Sequence, residues 1–220
     1  MDVNDAFSFE LFKKMPVIGI MRNIPDDCVE PIAEVFYRSG LTCLEITMNS
    51  SNAEKHIATL VETYNGRLNI GAGTVCSITD LQKALAAGAQ FIVTPIINEA
   101  VIKTCVEAEI PIFPGAYTPS EIYKAWSMGA TMVKLFPASD LKPGNIKELL
   151  APLNFVSLMP TGGVTLENFT EYFEQGAKAV GIGSHLFPKD IIAGKNWIEL
   201  GGIYEGFVKK FNDSASRTTL

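Results

Sequence analysis

Histidine, tryptophan, cysteine and arginine are all scarce in this 220-residue chain, which carries two, two, four and four of them. A catalytic or structural zinc site needs three or four clustered ligands. His56 and His185 stand apart from each other and from the best carboxylates, so no metal is expected. Cys28, Cys43, Cys76 and Cys105 lack the short paired spacing of a zinc ribbon or a redox dithiol. They read as small core residues of a protein in a reducing cytoplasm. Basic residues are in deficit: 18 lysines and arginines face 24 acidic residues, for a net charge of -6, and they form no stripe. That balance excludes a nucleic-acid partner, because it would repel a phosphate backbone. The start carries Asp2, Asp5 and Glu10 and no apolar run reaches membrane-spanning length, so neither a signal segment nor a membrane partner is expected.

What is present is apolar and periodic. Hydrophobic residues make up 47% of the chain and charged ones 19%, which suits one compact domain over 1–220. Short runs rich in Val, Ile and Leu alternate with amphipathic stretches. Strands are expected over 16–21, 42–47, 68–73, 90–94, 110–114, 131–136, 155–160 and 177–182. Helices are expected near 26–39, 51–64, 78–87, 98–107, 118–128, 144–151 and 166–175, with a last one over 197–211. Ser50, Thr118 and Thr165 carry N-cap signals, and Gly40, Gly66, Gly88, Gly129 and Gly176 close helices. Pro31 should kink the first crossover helix or delay its start. Eight near-continuous apolar strands joined by helices favour an α/β protein of the (β/α)₈ TIM-barrel class, with an open doubly wound sheet as the alternative. A helix over 6–14 should cap the underside of the barrel, and a polar tail over 212–220 is expected to be disordered.

One residue breaks the apolar pattern. Lys134 stands inside Thr131-Met132-Val133-Lys134-Leu135-Phe136, where desolvation would lower its pKa and leave a nucleophilic amine. Strand alternation puts Met132, Lys134 and Phe136 on one face, and Cys43, Glu45 and Thr47 on one face of the second strand. The outward faces of barrel strands pack on helices, so Glu45 and Lys134 should point into the barrel mouth. A buried salt bridge is the alternative reading of the pair.

Two glycine-rich segments, Pro160-Thr161-Gly162-Gly163-Val164 and Gly181-Ile182-Gly183-Ser184, end the last two strands. That is the usual phosphate corner of a barrel, where backbone N–H groups, Ser184 and a short helix from His185 would hold an anion without a basic patch. Small strand ends at Gly71-Ala72-Gly73-Thr74, Val93-Thr94-Pro95 and Phe113-Pro114-Gly115-Ala116 leave room for a compact ligand. Thr74 reads as a carboxylate binder or a helix cap. Arg22, immediately after the first strand, is placed to clamp a carboxylate or phosphate.

Taken in order, Leu44-Glu45-Ile46-Thr47-Met48-Asn49, Gly71-Ala72-Gly73-Thr74-Val75, Thr94-Pro95, Phe113-Pro114-Gly115, Val133-Lys134-Leu135-Phe136-Pro137-Ala138 and Pro160-Thr161-Gly162-Gly163-Val164 resemble the family of 2-keto-3-deoxy-6-phosphogluconate (KDPG) and 4-hydroxy-2-oxoglutarate (KHG) aldolases over roughly 9–190. The resemblance implies a class I enzyme on a (β/α)₈ barrel, with no cofactor, that handles pyruvate and a keto-acid sugar phosphate as a homotrimer. It implies Lys134 as the Schiff-base residue, Glu45 as proton shuttle, Thr74 as a pyruvate contact and Gly162, Gly163, Gly183 and Ser184 as the phosphate corner. Thr94, Pro95, Phe136 and Thr161 complete the expected substrate-binding set. Asn49 departs from the arginine found there in phosphogluconate-type members. It looks more like the branch acting on the galactonate epimer, where an arginine ending the first strand, here Arg22, takes the anion contact and Asn49 reads a sugar hydroxyl. A barrel isomerase or epimerase, and a non-catalytic sugar-phosphate sensor, are the other readings the residues allow.

Overall fold

Strands alternate with helices because β-branched and apolar runs are punctuated by caps and by glycines in left-handed conformation. The structure, a computed structural model, describes residues 6–218. Helix α1 (Phe9–Lys14) precedes β1 (Val17–Met21), α2 (Asp26–Arg38), β2 (Cys43–Thr47), α3 (Ala53–Thr63), β3 (Asn69–Gly73), α4 (Ile78–Ala86), β4 (Ile92–Val93) and α5 (Glu99–Glu107). Then come β5 (Ile112–Phe113), β6 (Gly115–Ala116), α6 (Pro119–Ser127), β7 (Val133–Leu135), α7 (Gly144–Leu150), β8 (Leu158–Pro160), α8 (Phe169–Glu174), β9 (Val180–Ile182), α9 (Lys189–Ala193) and α10 (Trp197–Thr218).

Every strand pairing is parallel. One sheet runs β5-β4-β3-β2-β1-β9 and a second runs β6-β7-β8. They join at the Thr161–Gly181 bridge and, through the chain itself, at Pro114 between β5 and β6. The result is a (β/α)₈ barrel whose fifth strand is split in two, because a proline has no N–H to give to a ladder. All eight expected strands are present but shorter, mostly at their starts: β8 keeps only 158–160 of the expected 155–160 and β9 only 180–182 of 177–182.

The inward residues form a core of their own. Ile18, Cys43, Phe91, Val93, Phe113, Met132, Met159 and Ala179 fill the lower barrel with Phe7 and Phe12 from the N-terminal segment. The Phe7 ring lies 5.5 Å from Phe91, and Phe12 lies 5.9 Å from Phe113. Asn69, at the start of β3, ties this segment down: its Oδ1 accepts from Ser8 N at 2.7 Å and its Nδ2 donates to Ser8 O at 2.9 Å. The larger apolar layer lies outside the strands, under the helices.

Local signals succeed where they meet the backbone and fail where a turn intervenes. Thr118 and Glu121 form a full capping box on α6. Ser50 does not cap α3, whose cap position is Asn52 at φ 52°; its hydroxyl instead bonds Thr47 and accepts from Asn23 N at 2.9 Å. Thr165 caps a turn and α8 starts later, at Phe169. Pro31 sits within α2, which begins at Asp26 without delay.

The tail expected to be disordered is helical to Thr218, as far as the described residues reach. Phe207 packs 5.1 Å from Phe169 and Phe211 lies 5.4 Å from Phe173. A helix so anchored extends at little cost through polar residues, since nucleation is the expensive step. Among the described residues no helix is long and apolar enough to cross a membrane.

Candidate active site

Parallel register carries the inward polar residues to one end of the barrel. On β2, Cys43 lies in the apolar floor and Glu45 one layer above it; Met132, just before β7, lies in the floor and Lys134 on β7 above it. Both side chains are buried, Lys134 at 3% exposure and Glu45 at 1%. No ion pair or hydrogen bond joins them, and both Glu45 carboxylate oxygens lack a hydrogen-bond partner. The salt-bridge reading of the pair is therefore overturned.

An unpartnered buried ion is costly, and both groups respond by shifting toward neutrality. Burial pushes the Lys134 ammonium below its ordinary value; Glu45 opposes that shift and Arg22 adds to it. Burial likewise pushes the Glu45 carboxyl up, against the pull of Lys134 and Arg22. The Lys134 Nζ lies 4.8 Å from the centre of the Phe136 ring, so an aromatic face forms part of its surroundings. An amine pushed toward its neutral form and a carboxyl pushed toward its protonated form are groups suited to carbonyl capture and proton transfer.

The cavity above Lys134 has a volume of about 720 Å³, and it brings together Arg22, Lys134, Phe136, Thr161, Gly162, Gly163, Gly183 and Ser184. Gly162 and Gly163 hold φ of 95° and 70°, and a Cβ on Gly163 would come within 2.7 Å of Ser139 Cα, so only glycine fits that turn. Gly183 faces open space. The helix expected from His185 is absent. Residues 184–186 form a turn, with Leu186 N and Phe187 N both donating to Gly183 O, and Pro188 leads into the short α9.

Lys189 brings positive charge closer to this corner than the sequence reading allowed, and it lines the cavity together with His185 and Asn23. Lys189 was missed because the stretch reads as a short helix from His185 offering backbone N–H groups, whereas the chain turns there and Pro188 starts α9 at Lys189. The available signal was a lysine directly after a proline, at a helix start beside the glycine motif.

Other expected site residues divide. Thr74 adopts φ 56°, an uncommon conformation for a β-branched residue, and its Oγ1 accepts from Arg22 Nη2 at 3.5 Å. It caps no helix, since α4 is capped by Ser77. Thr94 is fully buried, and its hydroxyl donates to Ile96 O while accepting from Gly115 N at 3.4 Å. It latches two strand ends together and has no hydroxyl hydrogen left for a ligand. The Pro95 carbonyl lies against Gly115, where a Cβ would overlap it. Asn49 stands exposed on the turn after β2 and does not line the cavity. Of the cysteines, Cys28, Cys43 and Cys105 are buried as expected, whereas Cys76 is only half-buried.

The family model for KDPG and KHG aldolases matches residues 9–203. The chain is 35% identical over 176 residues to the 2-dehydro-3-deoxy-6-phosphogalactonate aldolase of Escherichia coli, covering 79% of this chain and 85% of that protein. It is 34% identical over 186 residues to the 2-dehydro-3-deoxy-phosphogluconate aldolase of Treponema pallidum, covering 84% and 88%. A KDPG aldolase from Legionella pneumophila, solved with pyruvate captured at low pH as a covalent carbinolamine intermediate, superposes with a TM-score of 0.81 at 29% identity, over 90% of this chain and 96% of that one. A match that runs from the capping helix into α10 takes in every strand of the barrel, and the chain belongs to the KDPG and KHG aldolase family of class I aldolases.

Proposed function

We propose that this chain reversibly cleaves a 2-keto-3-deoxy-6-phospho-sugar acid to pyruvate and glyceraldehyde 3-phosphate through an imine on Lys134. The observation that carries this reading is a buried Lys134 and a buried Glu45 without a bond between them, under a cavity ending in a glycine corner. Neutral Lys134 adds to the C2 ketone, and the protonated Glu45 carboxyl gives its proton to the departing hydroxide, which leaves as water, so that a protonated imine stands beside a carboxylate. That fixed positive charge draws the Glu45 pKa back down, so the carboxyl becomes a base once the substrate is bound covalently. Glu45 takes the proton of the C4 hydroxyl, the C3–C4 bond breaks, and its electron pair flows into the imine. Glyceraldehyde 3-phosphate leaves; the enamine is protonated at C3, and hydrolysis releases pyruvate and the lysine.

The substrate we propose is the galactonate epimer, with KHG as a further candidate. Arg22 supports it: the side chain lines the cavity, bonds Thr74 and acts electrostatically on both Lys134 and Glu45. It can hold the pyruvate carboxylate that an arginine at position 49 would otherwise take, whereas exposed Asn49 has no such contact. On the family resemblance we propose a homotrimer working in the cytoplasm.

Pyruvate release measured side by side on the two phosphorylated epimers and KHG tests this. The galactonate epimer should lead by more than tenfold in kcat/KM, about 1.4 kcal/mol of transition-state discrimination. Equal rates would sink the epimer assignment. Arg22→Ala should raise KM roughly 10- to 100-fold, the scale of one hydrogen bond to a charged group, with kcat changed far less. An unchanged KM would show that the carboxylate is held elsewhere.

A further inference from the structure

Glycines in this barrel are explained by backbone angle, by packing, or by neither. Gly162 and Gly163 need positive φ, and Gly71 leaves space for the Phe91 ring, which a Cβ would approach to 2.5 Å. Gly73 is different. It ends β3 in ordinary strand conformation, pairs with Thr47 and accepts from Met48 N at 2.8 Å, so nothing in its backbone excludes alanine. The three heavy atoms nearest to a Cβ built there all belong to Glu45: the Cβ overlaps Oε1, lies 2.7 Å from Cδ and lies 3.3 Å from Cγ.

We infer that Gly73 is a positioning residue for Glu45, its missing side chain being the space in which the carboxylate sits. Register explains how this arises. Glu45 pairs with Gly71, and its side chain leans along the strand direction toward the barrel mouth, which brings the carboxylate over residue 73. The carboxylate has no hydrogen bond to hold it, so the walls around it set its place. With a methyl at 73 the carboxylate must move, and with it the atom that handles protons for the imine. The inference deepens the reading of Glu45 as the base and rests on it.

Gly73→Ala should therefore behave as a proton-transfer variant in a folded barrel. Misplacing a reacting group by an ångström can cost about 10²-fold, and a loss of that order is expected in kcat. The exchange of pyruvate methyl protons with deuterium should fall in parallel, while borohydride still traps pyruvate on Lys134 with a similar KM. A Gly73→Ala enzyme that turns over and exchanges at the parent rate overturns the inference.

Stability supplies a readout that does not depend on activity. Gly73→Ala should lower the urea midpoint in the parent and leave it unchanged or raised in a Glu45→Ala background, because the group the methyl meets is then gone. If Gly73→Ala fails to fold, recovery of folding in Gly73→Ala/Glu45→Ala supports the contact; failure of both overturns it. Equal losses in the two backgrounds overturn it as well. Glu45→Gln measured alone separates the two ideas: full activity there removes the base reading, while the stability comparison still reports whether residue 73 faces residue 45.

Discussion

Lys134→Ala is expected to lose turnover by many orders of magnitude and to leave no protein mass shift after treatment with pyruvate and borohydride. The size of the effect follows from chemistry that no neighbour can supply. In the proposed mechanism the imine nitrogen is the electron sink of the C–C cleavage, and the amine that would make it is Lys134, which burial in β7 pushes toward its neutral form. The sign of the pH dependence follows too. An ammonium whose pKa is lowered from 10.5 gives up its proton at lower pH, so the rate of adduct formation should climb with pH through an inflection below 10.5. Trapping that survives the substitution would move the nucleophile to another lysine, with Lys189 first because it lines the same cavity.

Glu45→Gln is the second large effect. Removing a general acid–base typically costs about 10²- to 10⁴-fold, and that loss should fall on kcat and on methyl-proton exchange, with pyruvate still trapped on Lys134. Folding should respond in the opposite direction. Burial raises the folded-state pKa of Glu45 above its ordinary 4.5. Between those two values the folded state keeps a proton that the unfolded state has lost, so its stability contribution declines as pH rises from 4.5 through the folded pKa. The glutamine has no proton to lose. Urea unfolding across that window should show the parent falling relative to the variant, and comparing the two isolates Glu45 because Lys134 is present in both. Near-parent turnover in Glu45→Gln would reassign the base.

The placement of the candidate pair was legible where structure is periodic. A strand has a period of two and a barrel has one inner face, so the inward placement of Glu45 and Lys134 followed from counting residues, and burial then implied perturbed pKa values. The glycine corner was legible because positive φ leaves a compositional mark. Loops have no such period. Asn49 comes two residues after β2 ends, yet the turn carries it to the surface, and Thr94 has the right side chain with its hydroxyl bonded to backbone. Ser50 and Thr165 show the same limit, since a cap-like hydroxyl can serve a turn as readily as a helix. The tail was misread for a different reason. Its polarity was judged alone, while its helix is secured further back by Phe207 and Phe211. Gly73 escaped notice because a short side chain reads as empty space until the occupant of that space is known.

The division of the barrel into two hydrogen-bonded sheets bears on its stiffness. Lys134 rides on the middle strand of the three-stranded sheet, and Glu45 on the six-stranded one. Across the seams run isolated backbone bonds, such as Thr131 N to Ile112 O at 3.0 Å and Lys178 N to Leu158 O at 2.9 Å, in place of a continuous ladder. Within each sheet, distances between neighbouring strands are fixed by regular pairing. The separation of amine from carboxylate is fixed by what fills the barrel between them, which makes the packing of the floor a mechanical part of the catalytic geometry.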